Sequence, residues 1–253
     1  MKYRCMLATV AVLSLGVAMV ATSTASAAPV FDVFAKATTS KAGSKKKPAP
    51  FGGSWGYTVT DGGNRPPTGF GSKFSFEGVK WDGTGLPTCT VDEIDVAQSD
   101  SVCPKDSLIL KTTKLEALIG PEGDRSSFVE CKGKTLRVYN AGKNTATAIV
   151  VGPGDQCAGL TYAPPYEWKL KTKKGTTTVS AILPETVVHP LPGVATTGNE
   201  ATYQFINQKA KVGGKTHYYY SSTKCKGKRD FTTTILDDDG SHKFDMVAGK
   251  CKK

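Results

Sequence analysis

Several features that commonly reveal an activity are missing from this 253-residue sequence. It has no CxxC pair, and its three histidines, His189, His217 and His242, lack ligand spacing to any cysteine, so we expect no metal site. There is no sustained helical periodicity and no repeat of fixed period. No basic segment is interleaved with aromatics on a nucleic-acid-binding motif, so we expect no specific nucleic-acid partner. We also assign no catalytic or cofactor-binding residue.

The sequence also lacks long hydrophobic runs, except at its start. Lys2 and Arg4 precede an uncharged apolar stretch, residues 5–21, and Ala25-Ser26-Ala27 forms a small-residue cleavage site. We therefore predict a cleaved signal peptide over residues 1–27. An uncleaved anchor is the alternative, because a spanning helix needs about 20 apolar residues. No later segment is apolar enough to span a bilayer, so we expect a secreted, extracellular or wall-associated protein.

Six cysteines follow the predicted signal peptide, and an even number in an oxidising compartment is typical of disulfides. Sequence alone allows 15 connectivities. We favour pairing between neighbours because each pair then brackets one local motif. The predicted bridges are Cys89 with Cys103, Cys131 with Cys157, and Cys225 with Cys251.

Negative charge is scarce relative to positive charge: the net charge is +11, or about +9 once Lys2 and Arg4 are removed. This excess favours weak attraction to polyanions. A solvated lysine surface without a partner is the alternative. Two dense stretches supply the candidate polyanion contacts, which are Lys45, Lys46, Lys47, Lys169, Lys171, Lys173 and Lys174.

The order of the segments predicts two regions in the mature chain. Residues 28–51 are rich in Ala, Ser, Thr, Lys and Pro, and we predict a flexible basic linker there. Residues 52–253 consist of alternating segments separated by turn residues, which indicate strands. We predict a single disulfide-bonded, all-β domain, an antiparallel β-sandwich, with immunoglobulin-like topology as one version of it.

Four hairpins and one helix are predicted within this domain. The helix is residues 91–99, where Thr90 and Glu93 form a capping box and the first disulfide would clasp the helix to the sheet. The hairpins pair residues 135–139 with 145–151, 166–172 with 176–183, 203–211 with 215–223, and 231–236 with 242–247.

Three short motifs could carry chemistry, and for each a structural interpretation is favoured. The run Gly52-Gly53-Ser54-Trp55-Gly56 matches a nucleophile elbow, but it is followed by a strand rather than a helix. The acidic run 237–240 lacks the spaced ligands of a calcium loop and fits a hairpin turn. The aromatic run 217–220 could form a binding platform, but alternation predicts that one of its two faces is core.

A resemblance arises from several of these motifs taken together. They are Phe76-Glu77-Gly78-Val79, Leu86-Pro87-Thr88-Cys89-Thr90, Ala97-Gln98-Ser99-Asp100, Cys103-Pro104, residues 138–144 (VYNAGKN), and His189-Pro190-Leu191-Pro192-Gly193. This set resembles uncharacterised secreted proteins of high-GC Gram-positive bacteria, over much of residues 70–228. The resemblance implies an extracellular location and a β-sandwich fold, and it transfers no catalytic residue.

Three classes of function therefore stay open. The first is a non-catalytic secreted or cell-surface protein that binds an anionic envelope polymer or an extracellular protein. The second is a secreted hydrolase of wall or environmental polymers, which would need facing carboxylates that sequence cannot identify. The third is a structural component of the envelope.

Overall fold

The structure, a computed structural model, describes residues 28–152, 157, 163–206 and 209–252. The predicted signal peptide, residues 1–27, lies outside the described residues. The strands are β1 Val30–Ala37, β2 Ala49–Pro50, β3 Gly53–Thr60, β4 Gly69–Phe76, β5 Val79–Trp81, β6 Leu108–Pro121, β7 Val129–Cys131, β8 Thr135–Asn140, β9 Thr145–Val151, β10 Tyr166–Lys173, β11 Thr176–Ile182, β12 Val194–Phe205, β13 Lys209–Val212, β14 Lys215–Tyr218, β15 Tyr220–Ser222, β16 Lys228–Asp237 and β17 Gly240–Lys250. The helices are α1 Val91–Ala97 and α2 Glu185–Val188, with 3-10 turns at Asp100–Val102 and Lys105–Ser107.

The predicted antiparallel all-β class is confirmed. One 12-stranded sheet has the order β1-β3-β12-β6-β8-β9-β10-β11-β4-β16-β17, and β7 pairs with β6 beside this path. Two smaller sheets, β13-β14 and β2-β15-β5, accompany it. Among the described residues, no helix is both long and apolar enough to cross a bilayer.

The large sheet is nearly closed, because its first and last strands lie side by side. Lys41, after β1, forms a parallel bridge with Lys252, after β17. At the other end of this seam the Phe31 ring lies 4.5 Å from the His242 ring and 5.8 Å from the Phe244 ring, between centroids. The predicted β-sandwich with immunoglobulin-like topology stays a prediction at this point.

The core lies inside this sheet and is largely aromatic. Trp55 is fully buried, and its ring stacks on Tyr203 at 4.5 Å and lies 4.8 Å from Phe74. Phe74 in turn meets Trp168 edge-on at 6.1 Å. Alternation places these side chains inward from β3, β12, β4 and β10. Aromatic pairs of this kind add to the stabilisation by buried area.

The predicted short helix forms where the capping box places it. The Thr90 hydroxyl accepts from the backbone N–H of Glu93, and the Glu93 carboxylate accepts from the backbone N–H of Thr90 at 2.7 Å. These two bonds satisfy backbone donors that a helix start leaves unpaired. Gln98 ends the helix in the left-handed conformation at φ 51°. The disulfide of Cys89 and Cys103 then clasps the segment onto the sheet.

All three neighbour pairings of the cysteines are present. The Cα atoms are 5.3 Å apart in Cys89–Cys103, 5.6 Å apart in Cys131–Cys157, and 6.2 Å apart in Cys225–Cys251. Each distance lies in the range that a disulfide spans. The last two bridges bracket the hairpins β8-β9 and β16-β17, as predicted. Three disulfides are compatible with an extracellular protein.

The predicted flexible linker is wrong over much of its length. Val30–Ala37 forms β1 and pairs with every residue of β3, and Ala49–Pro50 pairs with β15. Phe51, at the end of the predicted linker, is fully buried in the core. The composition of this segment indicated flexibility. However, its less exposed residues alternate along Val30–Ala37, as in a strand with one face turned toward the protein. This alternation allows β1 to pair along the edge of the sheet.

Three predicted hairpins are confirmed, and the fourth differs in its bounds. β8-β9, β10-β11 and β16-β17 pair as expected. In the fourth, the described residues pair with each other only as β13 with β14. Tyr203 belongs instead to the long strand β12, and Tyr220–Ser222 forms β15, which pairs with β2 and β5. The chain also bends at Tyr219, so Tyr219 and Tyr220 are both buried although they are consecutive. Strict alternation of the two faces was therefore the wrong expectation for residues 217–220.

Candidate functional site

Lysines converge where the first and last strands of the sheet meet. Lys228, at the start of β16, lies directly opposite Lys250, at the end of β17. Both are exposed, and the Cys225–Cys251 disulfide closes the hairpin beside them. Like charges placed directly opposite each other on neighbouring strands are destabilising. Among the described residues Lys228 forms an ion pair with Asp230 at 3.5 Å, and Lys250 forms none.

A second facing pair follows along the same seam. Lys41 and Lys252 form a parallel bridge, and both are exposed. The backbone N–H of Lys252 donates to Ser40 at 2.7 Å, and that of Ala42 donates to the Lys252 carbonyl at 2.9 Å. Backbone hydrogen bonds therefore hold these two ammonium-bearing residues side by side. Neither has an ion pair within the described ranges.

The first predicted lysine stretch lies in a turn beside this pair. The backbone N–H of Ser44 donates to the Lys47 carbonyl at 2.9 Å, and the Lys47 N–H donates back to the Ser44 hydroxyl at 3.0 Å. Lys45, Lys46 and Lys47 are all exposed. Together with their neighbours they form a basic edge of eight lysines, which are Lys41, Lys45, Lys46, Lys47, Lys226, Lys228, Lys250 and Lys252.

The second predicted stretch forms a row along β10. Lys169, Lys171 and Lys173 alternate with the buried Leu170 and with Thr172, whose hydroxyl bonds to that of the buried Thr177. The three lysines therefore share the outer face. The row continues across neighbouring strands, since Lys169 pairs with Ser180 and Ser180 with Lys73. Lys174 follows in the turn, with φ 51°.

One short segment joins the two predicted stretches. The Ser222 hydroxyl donates to the carbonyl of Ala42, next to Lys41. The hydroxyl of the following residue, Thr223, donates to the Gly175 carbonyl at 3.1 Å, next to Lys174. Residues 222 and 223 thus connect the lysine turn of β10-β11 to the basic edge. The two stretches, far apart in sequence, lie at the same end of the sheet.

Five lysines of the basic edge were not among the predicted polyanion contacts. They are Lys41, Lys226, Lys228, Lys250 and Lys252. Four of them flank Cys225 or Cys251 in two short basic segments, 224–229 and 250–253. Strand pairing and the Cys225–Cys251 disulfide bring these segments together and place them beside Lys41. The predicted Cys225–Cys251 disulfide could have indicated this cluster, because it brings together the lysines that flank the two cysteines.

The motif that resembles a nucleophile elbow is part of a strand. Ser54 lies inside β3, where it pairs with Lys36 of β1 and Gln204 of β12. A nucleophile elbow needs a sharp turn between a strand and a helix. Ser54 has backbone neighbours on both sides instead, as the structural interpretation expected.

The acidic run 237–240 forms the β16-β17 turn, as predicted. Asp237 pairs with Gly240, and the Asp237 carboxylate accepts from the backbone N–H of Asp239 at 3.0 Å. The Asp238 carboxylate accepts from the N–H of Thr68 at 3.2 Å. These carboxylates therefore bind their own backbone surroundings. In the described part of the chain no three His, Cys, Asp or Glu residues are grouped as metal ligands.

Two other carboxylates, the buried Asp61 and the partly buried Asp100, are paired with arginine. Asp61 bonds to Arg125, and Asp100 accepts from Arg137 at 2.8 Å and from the Tyr139 hydroxyl at 2.6 Å. Burial and the bond to Asp100 hold the pKa of Tyr139 well above its ordinary value. Both carboxylates thus contribute to ion pairs that fix loops onto the sheet.

Comparisons of this chain with protein-family models, with curated proteins and with solved structures find no match.

Proposed function

We propose that this protein is secreted or held at the cell surface and that it acts without catalysis, by binding an anionic extracellular polymer along the basic edge. The observation that carries the proposal is the pair of facing lysine contacts, Lys228 with Lys250 and Lys41 with Lys252. Each places two like-charged residues at facing backbone positions, an arrangement that is unfavourable for folding. A chain of phosphate or carboxylate groups laid along the seam would offset that cost.

The geometry supports a polymer rather than a single small anion. The eight lysines of the basic edge are exposed, and the β10 row Lys169, Lys171 and Lys173 extends the positive surface. Ammonium groups on flexible stems act as point charges and offer no rigid fork for one anion geometry. We therefore expect binding that depends on charge density and distinguishes poorly between polyanions.

The proposed location rests on two observations. The first is the predicted signal peptide, residues 1–27, with its cleavage motif before Ala28. The second is the set of three disulfides, which persist in oxidising compartments and are rare in the cytosol. An anionic envelope polymer, or an acidic extracellular protein, would be the partner within reach of such a protein.

We also keep the β-sandwich as the proposed finer description of the fold. Trp55 on β3 and Phe74 on β4 are separated by six intervening strands in the sheet order, yet their rings lie 4.8 Å apart. Trp55 likewise lies 5.6 Å from Phe231 on β16. Such contacts support two halves of one sheet packed face to face, the layering of a sandwich.

The test uses the secreted protein and two probes, linear polyphosphate and polyglutamate. Binding is measured by calorimetry between 20 mM and 500 mM salt. Contacts between exposed charges are screened over about 8 Å at physiological salt, so affinity for both probes should fall steeply as salt rises. Replacing Lys41, Lys228, Lys250 and Lys252 by Gln should weaken binding at low salt at least tenfold.

A matched control changes the same number of charges elsewhere. The control set is Lys105, Lys111, Lys209 and Lys211, all exposed and outside the basic edge. Replacing them by Gln should have a much smaller effect. If both sets of substitutions weakened binding equally, binding would depend on the overall surface charge and not on the basic edge. Salt-insensitive binding that selects one probe would contradict the proposal outright.

A further inference from the structure

A cavity of about 120 Å³ lies inside the nearly closed sheet. Strands from all around the sheet contribute to its wall, including β1 through Phe31, β6 through Leu115, β10 through Trp168 and β16 through Ile235. It lies toward the Asp237 end of β16, whereas the basic edge begins at the other end of that strand. Ten residues of strand span about 30 Å, so the two places are separate.

Two charged residues, Lys134 and Asp237, line part of the cavity, but the rest of its wall is mostly apolar, with three phenols set into it. They belong to Tyr57, Tyr166 and Tyr203. Burial raises the pKa of Tyr57 to about 12 and holds the pKa values of Tyr166 and Tyr203 well above their ordinary value. All three phenols are therefore neutral at physiological pH, and they offer hydrogen bonds without charge.

Two polar groups that line the cavity, the Thr196 hydroxyl and the Trp168 indole N–H, have no hydrogen-bond partner among the described residues. Thr196 is 9% exposed and lines the cavity, and its Oγ1 is buried without a hydrogen-bond partner in the described part of the chain. A buried hydroxyl without a partner costs free energy that a bound partner would recover. Close by, β12 has a register shift between Gly198 and Glu200, and such bulges are common beside binding sites.

The backbone also makes room for this arrangement. A Cβ on Gly198 would lie 3.0 Å from the Tyr57 hydroxyl, so glycine allows that phenol to reach over β12. Gly71, at φ 124°, lines the cavity where a Cβ would collide with the carbonyl of Ala181. Small residues at both positions keep the space open.

We propose that this cavity binds a small neutral aromatic molecule, of benzene to phenol size, whose polar group bonds to Thr196. The size follows from the volume, because about 120 Å³ is close to the volume of about 150 Å³ in an apolar cavity that holds benzene. The neutral class follows from the mostly apolar wall and the uncharged phenols, because Lys134 and Asp237 already have partners of their own. An ion buried without a partner is strongly disfavoured. The proposal is independent of polymer binding at the basic edge.

Entry to the cavity is expected along the seam between β1 and β17. At the cavity end of this seam the described residues show ring contacts of Phe31 with His242 and Phe244, whereas the strands bridge through the backbone only at Lys41 and Lys252. Moving one aromatic ring therefore opens the wall without breaking a strand ladder.

The test measures calorimetric binding of phenol, benzene and benzoate to the full chain, with the melting temperature as a second readout. Phenol and benzene should bind saturably and raise the melting temperature with concentration. Benzoate should bind at least tenfold more weakly than phenol. Failure of both neutral probes to bind, or tighter binding of benzoate than of phenol, would overturn the proposal.

Two variants locate the site. Ala181→Leu fills the cavity from β11 and should abolish binding of both neutral probes, while its control, Thr178→Leu on the outer face of the same strand, should bind normally. Thr196→Val removes the hydroxyl and should weaken phenol about five- to tenfold, the loss of one hydrogen bond, and leave benzene unchanged. A folded Ala181→Leu protein that still binds phenol would overturn the proposal. If Ala181→Leu does not fold, Thr196→Val decides, and unchanged phenol affinity there overturns it.

Discussion

Lys228 and Lys250 face each other directly across the β16-β17 hairpin, and the residue that follows Lys228, Arg229, is fully buried. The Arg229 guanidinium donates to the Glu77 carbonyl at 2.6 Å and to the Ser222 hydroxyl at 2.7 Å, and it lies 5.2 Å from the Phe51 ring centre. Positive charge at this end of the sheet therefore lies both on the surface and beneath it.

The first prediction concerns the facing pair. Lys250→Glu replaces a like-charge contact with an opposite-charge contact, so the free energy of unfolding should rise by about 0.5 kcal/mol at low salt. The gain should disappear in 500 mM salt because the pair is exposed. Urea unfolding at two salt concentrations measures it. Lys211→Glu, opposite Thr216 on the β13-β14 hairpin, is the control and should change little.

The same variant links stability to binding. If the lysine pair exists to bind a polyanion, Lys250→Glu should be more stable and yet bind polyphosphate less well. A variant that gains stability and keeps its affinity would separate the pair from the proposed function.

A second prediction follows from the order of the N-terminal segment. Limited trypsin digestion should cut after Lys45 or Lys46 in the exposed turn before it cuts after Lys36, because Lys36 pairs with Ser54 between β1 and β3. Proteases cut most readily where the backbone is exposed and not hydrogen-bonded into a sheet. The turn meets this condition, whereas the paired strand does not. Mass spectrometry of the first fragments gives the answer. Early cleavage after Lys36 would support the flexible linker that composition indicated.

These cases show what local sequence patterns can and cannot predict. The β8-β9 and β10-β11 hairpins could be predicted because a turn and two adjacent alternating segments suffice. The Lys41–Lys252 bridge could not, since it joins residues near the two ends of the described chain. The same holds for the cavity, because Thr196 and Ala181 meet there only through the curvature of the whole sheet.

A third prediction concerns the buried phenols at alkaline pH. The unfolded chain releases tyrosine protons near pH 10, whereas burial raises the pKa of Tyr57 in the folded protein to about 12. A folded-state pKa above the unfolded value means that stability is complete below pH 10 and declines as pH rises toward 12. Each such phenol contributes a slope of about 1.4 kcal/mol per pH unit. Tyr57→Phe removes one of these phenols, so stability should fall less steeply with pH, by about 1.4 kcal/mol per pH unit. Urea unfolding between pH 9 and 12 measures this slope. An unchanged slope would show that the Tyr57 phenol ionises equally in both states.

The last prediction separates stability from binding by means of two disulfides of equal loop length. Cys131–Cys157 and Cys225–Cys251 both have a sequence separation of 26. The chain-entropy account therefore assigns each about 3 to 4 kcal/mol, and replacing either pair by serine should lower the free energy of unfolding by a similar amount.

Only the second bridge holds the basic edge together. The backbone N–H of Cys251 donates to Gly227 at 3.0 Å, and the next residue, Lys252, bonds to Ser40 across the seam. Cys225→Ser with Cys251→Ser should therefore weaken polyphosphate binding as well, whereas Cys131→Ser with Cys157→Ser, its matched control, should leave binding intact. Both variants are to be compared well below their melting temperatures, so that the folded protein is measured in each. Equal binding by the two variants would mean that the lysines do not need the bridge to act together. Non-reducing peptide mapping of the unmodified protein completes the experiment, and a peptide joining Cys131 to Cys225 would contradict the pairing on which the comparison rests.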